Sequence, residues 1–263
     1  MFKDITVGQF LPGDSVIHKM DPRSKILLTL LIIVFLFMIN SFVGYGMFAV
    51  LIFGTVLLAQ IPMKYILKGL KPLTFILIFT FGLHLFMDSG ELLFKIGKIT
   101  ATREGLSSGL IMAFRLILLI VSTSVMTLTT SPIDLTDGIE RLLRPFQRIG
   151  VPAHELAMMM TIALRFIPTL IEETDKIMKA QMARGADFES GNIIKRVKSM
   201  VPVLVPLFVS AFRRADELAL AMEARCYRGG NGRTRMKQLK FSSLDGFASC
   251  FVTGYAILVM VLF

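Results

Sequence analysis

The chain has 263 residues, of which 54% are hydrophobic and 18% charged, and its mean hydropathy is +0.68. A soluble domain carries about 45 to 50% apolar and about 25% charged residues, so this composition indicates a membrane protein. The net charge of +10 does not indicate a nucleic-acid partner, because Lys and Arg concentrate in the cytoplasmic loops of membrane proteins. The two cysteines, Cys226 and Cys250, have neither metal-ligand nor disulfide spacing, and we expect no metal and no cofactor.

Five apolar runs are predicted to be membrane spans, and they follow a polar N-terminal segment of 25 residues. That segment lacks the apolar core of a cleavable signal peptide, so we expect it to lie at the membrane surface. A span needs about 20 apolar residues, and the first run is shorter than this. We therefore expect two helices joined by a tight turn at Asn40 and Ser41, with a shallow first span or a re-entrant hairpin as the alternative. The predicted spans are residues 26–39, 42–58, 72–87, 105–130 and 246–263.

A long charged segment separates the fourth and fifth predicted spans. It contains 18 Lys or Arg and 12 Asp or Glu, too many for it to lie within lipid throughout. The positive-inside rule predicts that this segment and the N-terminus are cytoplasmic and that the loop at residues 88–104 is outside. The predicted organisation is a surface segment with four spans (1–130), a cytoplasmic module (131–243) and a last span (244–263).

The cytoplasmic module is predicted to form three long amphipathic helices, whose apolar faces pack on one another or along the inner membrane surface. Glycine, proline and serine residues mark their ends. The second helix is expected to kink at Pro168, because the proline ring removes a backbone hydrogen bond. The sequence thus predicts an all-α polytopic membrane protein with about five transmembrane helices and this module before the last span. The three helices are predicted at residues 132–150, 153–184 and 192–225.

No catalytic motif stands out in the sequence. The chain has no GxxxxGK[ST] loop that could hold the phosphates of ATP, and it has no GxSxG serine. His154 and Glu155 are adjacent, but no second histidine completes the HExxH pattern of a zinc protease. We therefore predict a protein that is not an enzyme.

One histidine and one arginine fall inside predicted spans and are candidates for an intramembrane function. His84 lies in the third span, where hydrogen bonding within the bundle is the simpler explanation. Arg115 lies about 15 Å into the fourth span, where a charged side chain costs on the order of 2.5 to 3.5 kcal/mol unless it snorkels or pairs. Either an outward-snorkelling arginine or one that faces a polar cavity or a partner is compatible with the sequence.

A weak internal repeat ends the second and third cytoplasmic helices. Each copy has one arginine, Arg184 or Arg225, between small residues, with an aspartate nine residues upstream. The helix dipole favours a cation in the last turn and would explain one arginine, but two in the same local frame suggest a pair of docking tips. Small neighbours leave the guanidinium open to bidentate pairing with a carboxylate. The two motifs are Ala183-Arg184-Gly185 and Ala224-Arg225-Cys226.

These motifs resemble those of a known transporter family when they are taken together with an N-terminal signature. The signature is GQFLPGDS at residues 8–15, followed by DPRSK at residues 21–25. The chain is similar, over essentially its whole length, to the transmembrane T component (EcfT) of energy-coupling factor (ECF) transporters, which are ABC-type importers. In that family the substrate-binding membrane protein is separate from the energising module.

The resemblance implies that Arg184 and Arg225 each engage one of two cytoplasmic ABC-type ATPases, and that these partners hydrolyse the ATP. It implies a second partner, a substrate-binding membrane subunit (S component) that can be exchanged, and the uptake of vitamins or other micronutrients. It also implies a multi-pass protein in the plasma membrane of a prokaryote, in contact with lipid.

Two alternatives stay open at this point. The chain could be the T component of a dedicated cobalt or nickel importer, because such proteins share the DPR-type start and the arginine motifs. It could instead be an integral membrane enzyme that modifies lipid at the inner surface, which would explain a basic amphipathic module.

Overall fold

The structure is a computed structural model that describes residues 10–87, 90–96, 99–188, 192–230 and 239–262. Predicted features at residues 8–9, 88–89, 190–191 and 263 lie outside the described residues. The described chain is helical, as predicted, except for one short antiparallel hairpin of two strands. The helices are α1 (Pro22–Met38), α2 (Phe42–Ala59), α3 (Met63–Leu70), α4 (Thr74–Met87), α5 (Arg103–Thr129), α6 (Pro132–Leu143), α7 (Ala153–Ala183), α8 (Ile193–Ala224) and α9 (Ser243–Leu262); the strands are β1 (Leu92–Ile96) and β2 (Ile99–Thr102).

The chain divides into two compact units. The first, which we call the bundle unit, comprises Gly8–Gly138 and Gln238–Phe263. The second, which we call the arginine unit, contains Ile139–Lys237 and so carries both arginine motifs.

Helix α5 is the centre of the bundle unit and contacts α1, α2, α3 and α4, while α9 contacts α1 and α2. The core between these helices is apolar, and side chains such as Leu36 and Phe48 are fully buried in it. Because lipid is as apolar as these side chains, the core of membrane-spanning helices is stabilised by close van der Waals packing and not by removal of apolar surface from water. The outward faces of the same helices are apolar as well, as expected of helices that meet lipid.

Five helical segments of the described chain are long and apolar enough to cross a membrane. Four of them, Phe42–Ala59, Met63–Met87, Arg103–Thr129 and Ser243–Leu262, correspond to the second to fifth predicted spans. The fifth is α7, which the sequence predicts to be cytoplasmic. Helix α1 has 17 residues, about 26 Å, and is shorter than the hydrocarbon core of about 30 Å, as the shallow-span alternative requires.

The arginine unit is built on an antiparallel pair, α7 and α8. Their register is given by two contacts: the Tyr227 hydroxyl lies 3.3 Å from His154 Nε2, and Arg214 Nη2 lies 3.1 Å from Glu173 Oε2. Thus the chain just beyond the end of α8 meets the start of α7. Both helices end within one residue of their predicted ends, and α7 continues as one helix through Pro168.

The first predicted helix of the module is shorter than its prediction. Helix α6 ends at Leu143, and a 3-10 helix covers Arg144–Ile149 before Gly150 turns the chain at φ +92°. Pro145 explains the change, because proline has no N–H to donate to an α-helical hydrogen bond.

Candidate docking tips at the ends of two helices

Arg184 and Arg225 have the same position and the same backbone conformation. Each is the C-cap residue of its helix, with φ −89° and ψ 8° at Arg184 and φ −90° and ψ 13° at Arg225. The next residue is left-handed in both cases, with φ +87° at Gly185 and φ +55° at Cys226. The weak repeat in the sequence therefore corresponds to a repeated backbone conformation at the two helix ends.

Each motif closes its helix with the same two hydrogen bonds. After α7, the N–H of Gly185 donates to Met182 O at 2.9 Å and that of Ala186 donates to Gln181 O at 3.0 Å. After α8, the N–H of Cys226 donates to Glu223 O at 2.8 Å and that of Tyr227 donates to Met222 O at 3.0 Å. This is the Schellman arrangement, which satisfies carbonyl groups that the end of a helix leaves without intrahelical partners.

The left-handed residue differs between the two motifs. Glycine takes a positive φ without steric cost, whereas a side chain in this region costs about 1 kcal/mol or more. Cys226 therefore holds a conformation that its own Cβ disfavours, and the geometry of the second motif is kept despite that cost.

All six residues of the two motifs are exposed. Within the described residues, neither arginine forms an ion pair. Because α7 and α8 are antiparallel, their C-terminal ends lie at opposite ends of the pair. Helix α7 has 31 residues, so the two arginine motifs are about 45 Å apart. A single anion cannot bind both arginines at this distance, and each motif would bind separately.

Arg115 has hydrogen-bond partners inside the bundle unit. Its Nε donates to the Tyr45 hydroxyl at 2.7 Å, and its Nη2 donates to Ile39 O at 3.2 Å and, at 3.4 Å, to Asn40 Oδ1. Tyr45 in turn donates to Ile39 O and to Leu36 O, at 2.7 and 3.2 Å. Arg115 thus caps the C-terminal end of α1 with a cation, which the helix dipole favours.

Helix packing explains why Arg115 lies where it does. The start of α1 meets the end of α5, where Lys25 Nζ lies 2.9 Å from Thr129 O. Fourteen residues further along α1, at Ile39, the antiparallel α5 has reached Arg115, fourteen residues before Thr129. The α1–α2 turn therefore lies beside the middle of α5, and an arginine there satisfies backbone carbonyl groups that water does not reach easily.

His84 is half-buried on α4, and its backbone carbonyl packs closely against Gly105 near the start of α5. Among the described residues, no group of three or more His, Cys, Asp or Glu side chains could hold a metal ion.

Sequence reasoning missed the side chains that brace the Arg225 motif. The ring of His154 lies between Glu140, whose Oε1 is 3.1 Å from Nδ1, and the Tyr227 hydroxyl. That hydroxyl is also 2.9 Å from Met158 Sδ. The corresponding residue after the first motif is Ala186, so only the second motif has a tyrosine to anchor it in this way.

Comparisons with known proteins give one consistent result. Residues 13–237 match the family described as cobalt transport protein, CbiQ. The chain is 62% identical over 252 residues to the energy-coupling factor transporter transmembrane protein EcfT of Thermosediminibacter oceani, with 96% of this chain and 95% of that protein covered. Proteins of the same name are similar to it in Clostridium kluyveri, at 61% identity with 95% and 93% covered, and in Bacillus subtilis, at 48% identity with 93% of each covered.

Identity at this level covers nearly the full length of both chains. The chain therefore belongs to the CbiQ/EcfT family of transporter transmembrane proteins.

Proposed function

We propose that this chain is the T component of an ECF-type importer, the subunit that transmits ATP-driven motion from two cytoplasmic ATPases to a separate substrate-binding membrane subunit. The observation that carries the proposal is the pair of exposed arginine caps, which share the same type of helix closure and lie at opposite ends of the α7–α8 pair. The names of the relatives support the same role.

Each arginine would be a cationic contact point for one ATPase. The Schellman closure fixes the backbone position of each arginine at the end of its helix, and the guanidinium group can form a bidentate pair with a carboxylate of the partner. When the two ATPases close on ATP, the two arginines would move with them. Helices α7 and α8 are continuous over 31 and 32 residues, so the motion would reach the rest of the chain.

The substrate-binding subunit would bind to an exposed apolar face of α8. An apolar stripe follows the helix at spacings of three and four residues, and every side chain in it is exposed. A stripe of this length needs a lipid or protein cover, and a hydrophobic partner subunit provides one. The stripe consists of Val197, Val201, Leu204, Phe208 and Phe212.

The proposed orientation has the N-terminus and the coupling module, residues 131–243, in the cytoplasm of a prokaryotic cell. It is supported by the positive-inside rule, because the module contains 18 Lys or Arg. This side is also where the ATPases would be found.

Charge reversal tests the proposal directly. In the double variant Arg184→Glu/Arg225→Glu, we expect co-purification of the ATPases to fall at least tenfold, because a glutamate at either position repels a carboxylate of the partner. We also expect substrate uptake to be lost. Arg213→Glu is the matched control, since Arg213 is an exposed arginine in the middle of α8, and it should retain the ATPases. Normal uptake by the double variant would refute the assignment.

A dedicated cobalt or nickel importer is the second candidate, favoured by the description of the matching family as cobalt transport protein. The two candidates differ in the partner and in the cargo. Uptake of labelled Co²⁺ or Ni²⁺ by the complex, with no uptake of vitamins, would favour the metal importer. The lipid-modifying enzyme is not supported, because the relatives are named as transporter subunits.

A further inference from the structure

The N-terminal signature closes the end of α5 in the bundle unit. The N–H of Leu11 donates to Leu128 O at 2.9 Å, and Lys25 Nζ donates to Thr129 O at 2.9 Å and to His18 O at 3.3 Å. These bonds satisfy two of the last carbonyl groups of α5, immediately before the chain begins α6 at Pro132. The signature thus lies where the chain leaves the bundle.

The same signature holds the start of α9. Asp21 accepts a hydrogen bond from the N–H of Arg23 at 2.9 Å, and its own N–H donates to Asp245 Oδ1 at 2.9 Å. Asp245 is 1% exposed, and its second oxygen accepts from the N–H of Ser242 at 2.8 Å. Residues 224 positions apart in the sequence are therefore joined through a buried carboxylate.

Arg23 holds the segment that returns to the bundle before α9. Its guanidinium forms a bidentate pair with Asp21, at 3.0 Å from Nε and 2.7 Å from Nη2. Its Cζ lies 3.8 Å from the centre of the Phe241 ring, a cation–π contact, and Nη2 lies 3.5 Å from Leu239 O.

Helix α6, through which the chain leaves the bundle unit, packs against the first turn of α1. At Gly138, a Cβ atom would lie 3.1 Å from Pro22 Cβ and 3.3 Å from Ile26 Cδ1, so α6 passes directly over the first turn of α1. Gly138 is the last residue of the bundle unit before the chain enters the arginine unit.

Charge is nearly balanced within this cluster. Burial lowers the pKa of Lys25, which precedes the apolar run of α1, to about 8, against the opposing effect of the carboxylates of Asp134, Asp245 and Asp21. The Lys25 Nζ donates to the carbonyl group of Thr129 at the end of α5.

We propose that the DPRSK segment, with Leu11, Phe241 and Asp245, is a junction clamp that transmits force between the coupling module and the spans. It holds both passages of the chain between the two units, the outgoing α6 at Gly138 and the returning segment at residues 239–245, to the first turn of α1 and the last turn of α5. This role rests on the proposed function, since force is transmitted only if the ATPases act on the arginine tips.

The test is a ratio of two activities in the complete complex, reconstituted in liposomes with its two ATPases and its substrate-binding subunit. For Arg23→Gln we expect the ATPases to remain bound and ATP hydrolysis to stay within about twofold of wild type, while uptake per ATP hydrolysed falls at least fivefold. Phe241→Leu removes only the cation–π contact and should lower the ratio by about twofold, without leaving a buried charge. Arg103→Gln is the matched control, because Arg103 forms an exposed ion pair with Glu91 and should leave the ratio unchanged.

The possible results separate the clamp from its alternatives. If complex yield, hydrolysis and uptake fall in parallel while uptake per ATP is unchanged in Arg23→Gln and Phe241→Leu, the signature is only a structural cap and the clamp is refuted. If Arg23→Gln does not assemble, Phe241→Leu decides the question by the same ratio. If the wild-type chain itself fails to bind ATPases, the proposed function has failed, which is a different outcome from the failure of the clamp.

Discussion

Replacement of Arg115 by methionine should destabilise the protein, because it removes the donor that closes α1. The variant keeps the length and the apolar stem of the side chain but loses the bonds to Tyr45 Oη and Ile39 O, at 2.7 and 3.2 Å. A hydrogen bond from a charged donor contributes about 1.5 to 3 kcal/mol. Tyr45 continues to donate to Ile39 O, which leaves that carbonyl with one partner. We therefore expect the free energy of unfolding to fall by about 2 to 3 kcal/mol.

Thermal unfolding in detergent measures this loss as a decrease in the apparent midpoint of about 4 to 12 °C, at roughly 2 to 4 °C per kcal/mol for a chain of this size. Arg213→Met is the control, since it removes an exposed arginine from the middle of α8. Combining Arg115→Met with Tyr45→Phe should cost less than the sum of the two single changes, by about 1 kcal/mol, because the residues share a hydrogen bond. A midpoint within about 1 °C of wild type for Arg115→Met would refute the capping role and favour a snorkelling arginine.

Three further changes test the two arginine motifs. Cys226→Gly should raise stability by about 1 kcal/mol, because glycine accepts the positive φ at that position, and ATPase retention should not change; an unchanged or lower midpoint would contradict the strain at Cys226. Gly185→Ala should lower stability by about 1 kcal/mol or more for the converse reason, and a neutral result would show that the left-handed closure after α7 is dispensable. Tyr227→Phe removes the hydroxyl that meets His154 and should cost about 1 kcal/mol, with His154→Phe and the double variant completing a cycle; additive losses would mean that the two side chains do not interact.

The sequence by itself determined much of the local structure, including where α7 and α8 end. The ends of α7 and α8 were predicted to within one residue, because a helix end is encoded by a few neighbouring residues, here Gly185 and the small residues beside each arginine. Four of the predicted spans are confirmed as helices of sufficient length and apolar composition for the same reason. The shared Schellman closure at Arg184 and Arg225 depends on hydrogen bonds that span only six residues.

Only the tertiary structure decided what the isolated polar residues do. Arg115 caps α1 because α1 and α5 pack antiparallel with a fixed register, which neither helix encodes alone. The sequence did not indicate that Asp245 is a hydrogen-bond partner of Asp21, because the two residues are 224 positions apart in the chain. Apolar periodicity tells which face of a helix is buried, but many neighbours could cover that face equally well. Pairing of a buried charge with its partner is therefore settled by the packing of whole helices.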